Sequence, residues 1–142
     1  MLTIAYIVFS LWTLAGAMSD FGLGTLHIKV NESRLISPNG LIVAGDQIYA
    51  SEKMSVFSPD EQGFLILYAT KKALGVADGK LVLADDFQQG IKVSLKDKAE
   101  NGQNLVLFNG DPKFQLCADD LIGYQSTCDG AINVSLTYDS LL

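Results

Sequence analysis

From Phe21 onward the side chains follow a period of two, and that alternation constrains the fold more than any other feature of the chain. Leu26, Ile28 and Val30 alternate with His27, Lys29 and Asn31; Ile91, Val93 and Leu95 alternate with Lys92, Ser94 and Lys96; Ile132, Val134, Leu136 and Tyr138 alternate with Asn133, Ser135 and Thr137. Successive residues of a strand point to opposite faces, so each segment predicts a strand with one core face and one wet face. Phe64 to Tyr68 and Leu105 to Phe108 are apolar at every position and predict central strands. Between the runs lie Asn39-Gly40, Gly45-Asp46, Asp78-Gly79, Asn101-Gly102, Asn109-Gly110 and Asp129-Gly130. Such pairs supply the positive φ angles of tight hairpin turns. No later stretch combines apolar spacing of three and four with helix caps. The expected fold is all-β, an antiparallel hairpin-rich sandwich or barrel with little or no helix.

An alternative within that class comes from internal similarity. VAGDQIYA (43–50), VADGKLVLA (76–84) and FNGDPKFQLCA (108–118) resemble one another, and Gly45, Gly79 and Gly110 are spaced by about thirty residues. Such a repeat of hairpins fits a β-trefoil or a pseudo-repeating sandwich, and turn-plus-strand chemistry also produces such resemblance without a repeat. The further turn at Asp129-Gly130 departs from that spacing.

The N-terminus carries a different signal. Residues 2–14 hold no charged side chain, and the first is Asp20. The run is short of the ~20 apolar residues of a spanning helix. Ala15-Gly16-Ala17 follows it and offers the small residues of a signal-peptidase site, which predicts cleavage after Ala17. The expected organisation is a signal peptide over 1–17 and a single β domain over 18–142. No Lys or Arg follows Met1, so only the α-amino group makes the leader's start positive. An uncleaved anchor and a buried N-terminal strand are the competing readings of this segment.

The 10 basic and 16 acidic residues all lie after Ala17, so the domain keeps the net charge of −6. An acidic domain repels nucleic-acid backbones and anionic lipid, which argues against both as partners and against membrane association once the leader is removed. The C-terminus, VSLTYDSLL, lacks the hydrophobic tail of a lipid-anchor signal. The expected destination is the extracellular space or the cell wall.

Cys117 and Cys128 are the only cysteines, and in an oxidising compartment they predict one disulfide joining neighbouring strands. Asn31-Glu32-Ser33 and Asn133-Val134-Ser135 are glycosylation sequons with both asparagines on expected polar faces; Asn31, near a strand end, is the favoured site. His27 is the sole histidine and reads as an exposed bystander, with no nucleophile motif beside it. Asp85-Asp86 and Asp119-Asp120 are adjacent pairs; in a strand neighbours diverge, and in turns such pairs are solvated. No catalytic residue, metal site or cofactor is therefore expected. Tyr124, between the cysteines, is the expected exposed aromatic and candidate ligand platform, whereas Tyr49 and Tyr68 sit in apolar runs that predict burial.

The C-terminal third carries a resemblance. Asn104-Leu105-Val106-Leu107-Phe108-Asn109-Gly110, then Phe114-Gln115-Leu116-Cys117, then Cys128-Asp129-Gly130-Ala131-Ile132-Asn133-Val134, together with Asp20-Phe21-Gly22-Leu23, resemble the pattern of small secreted fungal cell-wall proteins of the phialide type. The resemblance implies an extracellular, wall-associated, non-enzymatic protein, with Phe114, Cys117 and Cys128 as structural positions. The expected function is structural association or weak binding of cell-wall polysaccharide. The alternative is a secreted effector or inhibitor that binds an extracellular protein, and a secreted hydrolase ranks third.

Overall fold

Asp78 and Gly79 both have positive φ, 53° and 73°, and so do Asn109 and Gly110, 52° and 77°. This is the backbone of the tight turn whose twist matches paired strands. The computed structural model describes residues 22–30, 38–86, 89–99 and 102–141. Among them are twelve strands and no helix. They are β1 (Gly24–Val30), β2 (Gly40–Ala44), β3 (Gln47–Ser51), β4 (Phe57–Pro59), β5 (Leu65–Leu67), β6 (Ala73–Ala77), β7 (Lys80–Ala84), β8 (Ile91–Lys98), β9 (Asn104–Phe108), β10 (Phe114–Leu116), β11 (Ile122–Gly123) and β12 (Ile132–Ser140). All pair antiparallel in one continuous sheet, as the alternation predicts.

The pairings return on themselves. β1 meets β4 at Gly24–Phe57, β4 meets β5, Phe64 just before β5 bridges to Lys92 of β8, β8 meets β9, β9 meets β12 at Leu105–Thr137, and β12 runs beside β1 over seven residue pairs. The remaining strands form the hairpins β2–β3, β6–β7 and β10–β11. These join in a triangle through Gln47–Val82, Lys80–Gly123 and Tyr49–Leu121. Six strands thus form a cycle of pairings, and three linked hairpins account for the other six. Closing the cycle pairs strand edges that would otherwise be open to other chains.

The repeat runs through different residues from those that look alike. Gly45-Asp46 and Asp78-Gly79 turn the first two hairpins. Asn109-Gly110 instead turns between Phe108 and Asp111, which exchange backbone hydrogen bonds of 3.0 and 2.9 Å, and the third hairpin turns later, over residues 117–121. Asn39-Gly40 is no hairpin turn, because Gly40 opens β2 opposite Ser51.

The core collects the inward positions of every strand. Phe57 and Phe114 are its largest fully buried side chains, packed with Leu26, Leu41, Ile48, Leu65, Leu74, Leu81, Ile91, Val106, Ile122 and Leu136. Each contributes roughly 1.5–3 kcal/mol of transfer free energy. Three expectations require correction. Leu95 is 72% exposed, because the ladder slips: Val93 faces Val106 and Lys98 faces Asn104, so residues 94–97 bulge from β8. Tyr68 lies past the end of β5 and is 48% exposed. In β9 only Val106 is fully buried, and its neighbours are half-buried.

Candidate binding cleft

The disulfide forms as expected, between Cys117 and Cys128 with Cα atoms 5.7 Å apart. Leu116 of β10 pairs with Ile132 of β12, so the bridge clamps the chain just beyond two adjacent strand ends. The Ala118 amide donates to the Asp129 carbonyl at 2.9 Å beside it. Asn133 is exposed on β12 opposite Gln115. Asn31, its sequon and the leader over 1–17 lie outside the described residues.

Tyr124 is half-buried against the core rather than exposed. Its ring meets Phe108 edge-on at 4.8 Å and Phe114 at 5.7 Å, and its hydroxyl donates to Asp111 Oδ2 at 2.9 Å. Burial first, then the Asp111 hydrogen bond and charge, push its hydroxyl above the ordinary tyrosine range. The residue closes the core at the foot of the third hairpin, because the turn at Asn109-Gly110 brings Asp111 within its reach. Tyr68 is the exposed aromatic instead, with Lys71 Nζ 4.2 Å above its ring. Tyr49 is half-buried, its hydroxyl held by Gln47 Oε1 at 2.6 Å.

His27 has closer partners than a bystander would. Its Nε2 lies 2.9 Å from Thr25 Oγ1 and 3.7 Å from Asp139 Oδ2, since Thr25 and Asp139 face each other across β1 and β12. Both neighbours address the same ring nitrogen, whereas a nucleophile–histidine–acid relay needs the two on opposite nitrogens. Thr25 is also buried. Asp85, Asp86, Asp119 and Asp120 are exposed, and Asp119 Oδ1 accepts the Leu121 amide at 3.2 Å within its turn. Among the described residues no group of three or more His, Cys, Asp or Glu side chains converges as a metal would require.

The concave feature is a cleft of about 610 Å³ between the β4–β5 turn, the first half of β8 and the end of β9. Asp60 builds the turn: its Oδ1 accepts the amides of Gln62 and Phe64 at 2.8 and 2.9 Å, and Gly63 accepts the Val93 amide at 3.0 Å, docking the turn on β8. Gly63 has φ +91°, and a Cβ there would stand 3.3 Å from Lys92 Cε. Glycine thus supplies the turn's backbone and leaves the path along which the Lys92 stem lies. The Phe64 ring packs on Gly90, where a Cβ would be 3.2 Å from Cδ1, and Lys92 Nζ sits 5.3 Å from the ring centroid.

The opposite wall is the β8 bulge. Ser94 Oγ accepts the amides of Asp97 and Lys96 at 2.9 and 3.3 Å and donates to Asp97 Oδ2 at 3.1 Å, while Asn104 Nδ2 donates to the Ser94 carbonyl at 2.7 Å. The braced bulge turns Leu95 outward into the cleft lining with Lys96. At one end Asn109 Nδ2 donates to Gln89 Oε1 at 2.8 Å. Among the described residues nothing else hydrogen-bonds Asn109 Oδ1 or the Gln89 amide hydrogens, which a ligand can therefore use. Apolar surface with a few placed polar groups is the general make-up of a ligand-binding cleft.

Sequence reasoning missed this site because its three segments are distant in the chain. A local cue exists in Ser94-x-x-Asp97, a serine that can bind the backbone two and three residues on and so break a ladder. No protein-family model matches the chain, nor does any curated protein or solved structure.

Proposed function

We propose that this chain is a secreted, non-enzymatic protein of the cell wall or surface that binds wall polysaccharide weakly through the cleft of Phe64, Gln89, Lys92, Leu95 and Asn109. The observation that carries the reading is the cleft itself, which joins apolar surface to amide groups. The charge-free run before Ala15-Gly16-Ala17, the disulfide and the resemblance to small fungal wall proteins support an extracellular setting. Affinity is weak because Lys92 lies over the Phe64 ring, and among the described residues no other aromatic ring lines the cleft for a sugar to stack on.

The test is retention of the secreted protein on insoluble β-glucan, chitin and intact walls, beside a glycosidase, esterase and protease panel. Retention lost in Leu95→Asp and kept in Tyr124→Phe is the expected result. Turnover abolished by changing His27 or an aspartate would reject the non-enzymatic reading. A second reading, a partner-protein binder, is favoured by the 72% exposure of Leu95, an apolar side chain held out on a braced bulge. Failure on every polymer shifts the weight to it.

A further inference from the structure

The charged groups of the cleft are divided between its two sides. Lys92 and Lys96 line the β8 side, and Lys98 follows on the same strand, so three of the 10 basic residues fall within seven positions. No carboxylate of the described residues pairs with the Lys92 or Lys96 ammonium; Lys92 Nζ meets only the Phe64 ring, at 5.3 Å. Asp97, beside Lys96 in sequence, accepts a hydrogen bond from Ser94 Oγ at its Oδ2. Asp60 and Glu61 stand on the opposite side, where Asp60 Oδ1 is committed to two backbone amides. Among the described residues these two exposed ammonium groups have no carboxylate partner, and they border a lining that includes Leu95, Leu107 and Phe64.

Resting on the polysaccharide reading above, we propose that the cleft selects a glycan bearing isolated uronic acid residues. The sugar's C–H face lies on Leu95, its carboxylate lies at Lys92 and Lys96, and its hydroxyls meet the amides of Gln89 and Asn109. The overall charge of −6 decides the spacing of acids along the polymer. A dense polyanion is repelled by the domain as a whole. A lone carboxylate answers to the two lysines, because charges beyond a screening length of about 8 Å count for little at physiological salt. Asp60 and Glu61 keep the carboxylate on the β8 side. The braced bulge holds the backbone of the β8 side in place before a ligand arrives, which limits the ordering cost to the side chains.

The experiment compares, by calorimetry on the secreted protein near physiological salt, a glucuronoxylan with its carboxyl-reduced form, whose backbone is the same. The expected result is about tenfold tighter binding of the uronate form, a gap that closes in Lys92→Gln/Lys96→Gln. Leu95→Ser weakens both forms and preserves the gap. Both lysines are exposed, so an unchanged melting temperature certifies the double variant as folded. Equal binding of the two forms, or a gap that survives the lysine changes, overturns the proposal. So does failure of glucuronoxylan to bind at all. Retention on β-glucan, chitin or walls in that same case leaves the polysaccharide reading standing, and its loss there sinks both.

Discussion

The ring of Tyr138 lies across Gly24, where a Cβ would stand 2.4 Å from Cζ and 2.6 Å from the Asp139 carbonyl oxygen. The contact seals the junction of the first and last long strands, and the Tyr138 hydroxyl donates to the Gly22 carbonyl beyond it. Because backbone is one of the two obstacles, Gly24→Ala cannot be relieved by a rotamer change. Chemical denaturation is expected to record a loss of about 1–3 kcal/mol, the usual cost of overpacking. A loss under about 0.5 kcal/mol, the level of a neutral surface change, would show that the junction is not closely packed.

Tyr138 also governs alkaline stability. Burial pushes its hydroxyl up to about 12 from the ordinary 10.0. Below pH 10 the hydroxyl is protonated in both folded and unfolded chains and contributes no pH dependence. Between the two values the unfolded chain releases the proton first, so stability falls as pH rises and levels off above the folded value. The share of the decline that belongs to Tyr138 is up to about 2 kcal/mol, and Tyr138→Phe removes that share while leaving the contribution of Tyr124, which is raised in the same direction. Denaturation midpoints across pH 9–12 for both proteins check this; parallel curves would contradict it.

Joining Cys117 to Cys128 closes a loop of about a dozen residues in the unfolded chain. Replacing both by Ser should cost roughly 3 kcal/mol from loop-closure entropy. Because the bridge lies at the third hairpin, hydrogen exchange should rise first at residues 114–123. Uniform acceleration over all strands would indicate that the bridge stabilises no particular region.

Tyr124→Phe tests packing against binding. It removes the hydrogen bond to Asp111 and keeps the contacts with Phe108 and Phe114, for an expected loss of about 1–2 kcal/mol. Retention on wall polymers should not change. A selective loss of retention would return Tyr124 to the ligand site.

Ser94→Ala removes the side chain that braces the bulge, and Leu95 then loses its held position. The expected outcome is little change in stability, within about 1 kcal/mol for a partly exposed hydrogen-bond hub, and a several-fold weaker retention on walls. Unaltered retention would argue that Leu95 does not take part.

Strand class, turn chemistry and the disulfide were legible in the amino-acid order because each rests on near neighbours. Leu26, Ile28, Leu136 and Tyr138 obey the period of two and are buried, and Asp78-Gly79 turns where its left-handed preference requires. Cys117 and Cys128 had no other partner. Only the tertiary structure decided the rest. Leu95 keeps the apolar alternation yet faces solvent, since Ser94 and Asn104 let β8 slip against β9, and a slip in register moves side chains between faces whatever their polarity. Tyr124 and Tyr68 exchanged their expected roles because exposure depends on what packs opposite, here Phe108 and Phe114 for one and solvent for the other. The cleft joins residues 60–64, 89–96 and 107–110 through pairings between distant strands, and no local pattern encodes which edges meet when the cycle closes.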